Sequence, residues 1–235
     1  RSTGGASWDN NNGWMDLTKP ICSWFGVECA GDRLENNTIT QINLPDNSLK
    51  GVMPHQIWEM PALQTLNLKE NEVIMGFANI YKAQNLEVLY ASDVDVGTPT
   101  GIGKAPALKE LHLTANEIKG KLPDDFFELA DTMERLYIAY NSFSGTLSTE
   151  FGKFTKLIDF YAYDNEFTGT IPSEFASLKN LQNFVVAENK LSGAIPDEFG
   201  YLPQLKLFSA YRRLKAGPKL TGPLPPFSNA PNLQG

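Results

Sequence analysis

Residues 157–172 read LIDFYAYDNEFTGTIP, and residues 181–196 read LQNFVVAENKLSGAIP. Both stretches carry apolar residues at positions 1, 4 and 6, asparagine at 9, glycine at 13 and proline at 16. The first half of this frame, L-x-x-L-x-L-x-x-N, recurs in both directions along the chain. Towards the N-terminus it gives Met133, Leu136, Ile138 and Asn141, then Leu108, Leu111, Leu113 and Asn116. Next come Leu86, Leu89, Ala91 and Val94, with valine in the asparagine position. Leu63, Leu66, Leu68 and Asn71 precede these, and Ile39, Ile42, Leu44 and Asn47 come first. Towards the C-terminus, Leu205, Phe208 and Ala210 are followed by Arg213, and Leu233 starts another coil. Eight successive registers of roughly 24 residues define a stacked repeat.

Each position has a physical reason. Apolar residues alternating at positions 4 and 6 make a short strand with one face buried. One coil cannot cover that face, so neighbours stack and their strands line up in a parallel sheet. The asparagine amide carries donors and an acceptor, which suits it to buried backbone groups of its own and the adjacent coil. Glycine at Gly51, Gly120, Gly145, Gly169 and Gly193, with proline at Pro54, Pro123, Pro172 and Pro196, sets the turn and the extended return path. Coils 2 and 3 lack this second half, so irregularity is expected there. Ser148 replaces proline in coil 5, and coil 8 carries an insertion around 213–219.

Composition narrows the function classes. The chain has 235 residues, 42% hydrophobic and 20% charged, with a net charge of −7. That is ordinary for a folded protein, and an acidic chain is a poor partner for phosphate backbones, so no nucleic-acid partner is expected. No run of about 18 apolar residues occurs, so no membrane segment is expected within this chain. The chain opens on Arg1 rather than methionine and stops within a coil, so a longer parent protein is expected. Cys22 and Cys29 are the two cysteines. They admit a disulfide, a metal site or two thiols, but His55 and His112 show no ligand spacing to them.

The N-terminal stretch holds Trp8, Trp14 and Cys22-Ser-Trp24-Phe-Gly26-Val27-Glu-Cys29. This C-x-W-x-G-V-x-C signature, followed by L-x-G-x-[apolar]-P repeats, resembles the plant-type extracellular leucine-rich-repeat family. That family includes receptor-like kinase and receptor-like protein ectodomains and polygalacturonase-inhibiting proteins, with similar secreted repeats in algae and other eukaryotes. The resemblance runs over essentially the whole chain. It implies an α/β leucine-rich-repeat solenoid of about eight coils with a parallel concave sheet. It also implies a cap over residues 1–38 clipped by a Cys22–Cys29 disulfide, an array over residues 39–235, and an extracellular or cell-surface location. Trp24 is expected to pack under the first coil. The sequon at Asn36-Asn37-Thr38 makes Asn36 a glycosylation candidate.

Signs of catalysis are scarce. Residues 97–104 look like a phosphate loop, but Thr98 occupies the first glycine position and Ala105 the magnesium-binding one. No H-E-x-x-H or G-x-S-x-G motif occurs. Carboxylates are abundant, yet an open sheet seldom supplies a dry pocket with converging groups. Neither enzyme activity nor a metal or cofactor is expected.

The outward strand positions carry the functional expectation. Position 5 presents Tyr90, His112, Tyr137 and Tyr161, and registered stacking would join them in one aromatic track. Position 3 carries Glu110, Arg135 and Asp159, of which Arg135 and Asp159 are candidates; positions 7 and 8 add Asp93, Tyr140, Tyr163, Tyr211 and Arg212. Tyrosine brings contact area with a polar tip, which suits a peptide, protein or glycan partner. Cross-strand aromatics that merely stabilise the sheet are the competing reading. A basic group of Arg212, Arg213, Lys215 and Lys219 surrounds the coil 8 insertion and would meet an anionic partner. The expected function is a recognition module of a receptor-like or adhesion protein. The alternatives are a secreted inhibitor of wall-degrading enzymes or a surface- or matrix-binding protein.

Overall fold

A computed structural model describes residues 5–31, 38–212, 217, 219–227, 230 and 233. Its main sheet has nine strands. Eight are parallel, one per coil, running from Ile39–Asn43 through Thr65–Asn67, Val88–Tyr90, Glu110–His112, Arg135–Tyr137, Asp159–Tyr161 and Asn183–Val185 to Leu207–Ser209. Position pairs with position throughout: Leu66 with Leu89, Leu111 with Leu136, Phe160 with Phe184. The ninth strand, Val27–Cys29 of the cap, joins Ile39–Asn43 antiparallel. Cys22 and Cys29 are joined in a disulfide, as the resemblance implied.

Coils 2 and 3 keep this concave register, and the irregularity falls on the flank instead. There the return path builds separate short ladders. One holds Lys50–Val52, Glu72–Met75 and Asp95–Val96; another holds Lys119–Gly120, Ser142–Thr146, Glu166–Gly169 and Lys190–Leu191. The flank breaks between coils 3 and 4. The helical part of the α/β reading consists, among the described residues, of 3₁₀ turns such as Thr149–Lys153 and Ser173–Ser177. A turn of this kind fits a path that must climb only one strand spacing per coil, about 4.8 Å.

The core is the space between strands and return turns. In coils 5–7 phenylalanines fill it: Phe151, Phe160, Phe175, Phe184 and Phe199 are all buried. Phe160 stands 5.0 Å from Phe151 and 5.3 Å from Phe175, ring centre to ring centre, so neighbouring coils share one aromatic column.

A second column is made of the position 9 asparagines. Asn71 accepts from the Asn47 and Leu49 N–H groups and donates to the Leu44, Leu68 and Lys69 carbonyls. Asn165 accepts from Phe143 N–H and donates to the carbonyls of Ile138, Ala162 and Tyr163. Each asparagine therefore serves its own coil and the one before it. The cap joins the same column, because Asn47 accepts from Asn10 N–H and donates to Asn10 carbonyl.

In the cap, Trp14 lies 4.9 Å from Trp8 and 5.1 Å from Trp24. Among the described residues, an apolar cleft of about 570 Å³ lies between these rings and Leu44, Met53, Ile57 and Met60.

Candidate functional site

Strand pairing brings the position 5 side chains together. Tyr90 and His112 are 4.5 Å apart, His112 and Tyr137 stack at 4.2 Å, and Tyr137 and Tyr161 stack at 5.1 Å. The expected track is continuous over coils 3–6.

Beside it runs a row of charges at position 3. Tyr90 Oη donates to Glu110 Oε1 at 3.1 Å, and His112 Nε2 lies 2.8 Å from the same oxygen. A carboxylate only accepts, so Nε2 carries the hydrogen. Arg135 bridges Glu110 at 3.5 Å and Asp159 at 3.4 Å. Tyr137 Oη donates to Asp159 Oδ2 at 2.9 Å, and Asn183 donates to Asp159 Oδ1 at 2.6 Å. Asp159 is buried, and these three donors supply what a buried carboxylate needs.

This packing moves the acidities. Burial pulls the His112 pKa below the ordinary 6.5, against the pull of Glu110, so the imidazole is neutral near pH 7 despite its contact with a carboxylate. Burial, followed by the hydrogen bond to Asp159, pushes Tyr137 well above the usual tyrosine range. Tyr90 and Tyr161 are raised as well, mainly by burial. These phenols stay protonated, and those of Tyr90 and Tyr137 donate.

Six of the expected residues thus form one network: Tyr90, His112, Arg135, Tyr137, Asp159 and Tyr161. Three others lie along the rim where the strands turn. Tyr140 meets Tyr163 edge-on at 4.9 Å, and Tyr140 and Tyr211 stand exposed at 52% and 55%. Asp93 is exposed and apart, lining a rim cleft with Asp95, Thr98 and Lys119. Arg212 and Lys219 line one cleft with Asn189 and Tyr211. Arg213, Lys215 and Asn36 lie outside the described residues. The sequence reading placed Glu110 at position 3 but did not single it out, although it meets Tyr90, His112 and Arg135.

The phosphate-loop look-alike has its own explanation. Gly101 and Gly103 point their N–H groups at Asp125 Oδ2, at 2.9 and 3.1 Å. The anion in this small nest is a side chain of the next coil. Among the described residues no three His, Cys, Asp or Glu side chains gather as metal ligands, and no helix is long and apolar enough to cross a membrane.

The stacked coils, the asparagine column and the registered concave sheet define a leucine-rich-repeat solenoid. The Leucine Rich Repeat family model matches residues 107–129. In its disulfide-clipped cap and L-x-G-x-[apolar]-P returns the chain is similar to plant-type extracellular leucine-rich-repeat proteins. Phytosulfokine receptor 1 of Arabidopsis thaliana is 28% identical over 150 residues, 60% of this chain and 14% of that protein. Polygalacturonase inhibitor 1 of the same plant is 29% identical over 89 residues, 37% of this chain and 24% of that protein. The matched part is thus a quarter or less of these curated relatives. Among solved structures, the PEPR1–AtPEP1 complex superposes with a TM-score of 0.78 at 22% identity, over 97% of this chain and 36% of that one.

Proposed function

We propose that the chain is an extracellular recognition module that lays an extended peptide along its concave face, without catalysing a reaction. The observation that carries this reading is the rigid line from Tyr90 to Tyr161. Its rings stack on one another and its polar groups are held by Glu110, Arg135 and Asp159, so little ordering is left for the moment of binding. The open sheet favours binding over chemistry, since no group in the line is aimed at a sheltered pocket. The disulfide and the Asn36 sequon support a secretory-pathway location.

The test is selection of binders from a random-peptide library, followed by affinity measurement on Tyr161→Ala. Loss of about tenfold or more in affinity is expected, the size of an interface hot spot. Selected peptides that bind the variant as tightly as the parent would remove the groove assignment. A second reading, inhibition of a wall-degrading enzyme, draws on the polygalacturonase-inhibitor relative. Dose-dependent loss of polygalacturonase activity on adding the chain would favour it over the first.

A further inference from the structure

The aromatic line changes character after coil 6. Position 5 goes from Tyr161 to Val185 and Ser209, while position 7 runs Tyr163, Ala187, Tyr211. Registered stacking therefore sets a buried alanine between two tyrosines. Tyr163 and Tyr211 are two strand spacings apart at the backbone, about 9.6 Å. Stacked neighbours such as Tyr137 and Tyr161 leave no room between their rings. Here the missing side chain leaves a slot of about 220 Å³, floored by Val185, Ala187 and Ser209. That is space for one side chain and little more.

Chemistry narrows the occupant. Tyr140, Asp164 and Glu188 complete the lining of the slot. Position 8 holds Tyr140, Asp164 and Glu188 in the left-handed backbone region, at φ of 52°, 54° and 52°. Aromatic surfaces beside carboxylates attract a cation, through the negative face of each ring and through direct charge. An anion would meet repulsion, and a purely apolar group would strip water from Asp164 without return. Arg212 lines an adjoining cleft with the same two acids, so the rings and the carboxylates must act together.

We propose that the slot between Tyr163 and Tyr211 is a subsite for a cationic side chain, arginine before lysine, of the bound peptide. Arginine has the advantage of a flat guanidinium that stacks on rings while its N–H groups reach the rim. The proposal rests on the peptide reading above and adds a residue preference to it. It also fixes where that residue sits, over Ala187 of coil 7, one coil beyond the end of the central line.

The probe is the blocked tripeptide acetyl-Gly-Arg-Gly-amide, titrated into labelled protein while the Ala187 methyl and the Tyr163 and Tyr211 ring signals are followed. Its glutamine counterpart and methyl β-glucoside serve as the neutral peptide and the sugar. Saturable shifts at about millimolar concentration are expected for the arginine peptide, the range for a single anchored residue. The glutamine peptide should bind at least about threefold more weakly, as should the arginine peptide to Tyr211→Ala and Asp164→Asn. Both side chains are exposed, so neither change should alter the melting temperature. Equal response to arginine and glutamine, no effect of Asp164→Asn, or shifts with the glucoside alone would each overturn the proposal. The two readings fail separately. An intact arginine response with no role for Tyr161 in the selected binders removes the groove and keeps the slot; the reverse removes the slot alone.

Discussion

Coils 5–7 and the junction of coils 3 and 4 reach the same backbone by different means. In coils 5–7 the frame is nearly complete. Asparagine stands at 141, 165 and 189, glycine at 145, 169 and 193, and a phenylalanine column fills the interior. At the junction, coil 3 has Val94 for asparagine and no glycine–proline return, yet its concave strand pairs in register with both neighbours. Asn116 accepts from Val94 and Val96 N–H, as each column asparagine does from the coil before it. The missing return is answered from coil 4 by Asp125, which accepts from Gly101 and Gly103 N–H. The difference teaches that a coil needs its polar backbone satisfied more than it needs its own consensus residues. Where one coil lapses, the next one answers.

The comparison breaks most visibly at Asn165. Replacing it with alanine strands a buried acceptor's worth of N–H at Phe143 and three carbonyls. A loss of about 3–4 kcal/mol is expected, which at about 3 °C per kcal/mol lowers the melting temperature by roughly 10 °C. Hydrogen exchange should quicken at Phe143, in the preceding coil. A melting shift of a degree or less would mean that water replaces the amide and that the column is not a structural necessity.

Asp125→Ala probes the other region. It releases two amides, one half-buried at Gly101 and one buried at Gly103, against the four backbone groups that Asn165 serves, so the expected loss is smaller, about 1–2 kcal/mol. Exchange should rise at Gly101 and Gly103 while coils 5–7 keep their protection. A uniform loss of protection along the array would show that the junction is not locally supported.

The smallest effect concerns His112, on the coil 4 strand of the junction. Burial lowers its folded pKa below the 6.5 of a free histidine. The unfolded chain then takes up the proton first. Stability is complete above that value and declines as pH falls through it. A proton titration of the imidazole should show a midpoint under 6.5, and His112→Gln should flatten the pH dependence of stability between pH 5 and 7. A midpoint above 6.5 would mean that Glu110 outweighs burial.

The repeat was legible because its signal is redundant. Leu111, Leu136 and Phe160 report the same strand position three times over, and each asparagine confirms the frame set by the leucines. The aromatic track was legible for the same reason, since register alone brings Tyr137 to His112 and Tyr161. Partners that depend on which way a side chain turns were not legible. Glu110 occupies one outward position among many, and only the rotamers of Tyr90, His112 and Arg135 make it a hub. Asp125 stands 22 residues beyond Gly103, in a stretch that reads as an ordinary acidic turn. The slot beside Ala187 was hidden because it is defined by a small residue at an outward position, where periodicity has nothing to register.

The asparagine column has a direction. Every amide in it reaches back to the coil before, down to Asn47 holding the cap, so support is handed along the chain from later coils to earlier ones. Damage should therefore travel upstream. A coil that loses its asparagine keeps its own successor's help and betrays its predecessor. Fraying, once begun at any point, should advance towards the N-terminus more readily than away from it, giving a symmetric-looking stack a built-in sense of wear.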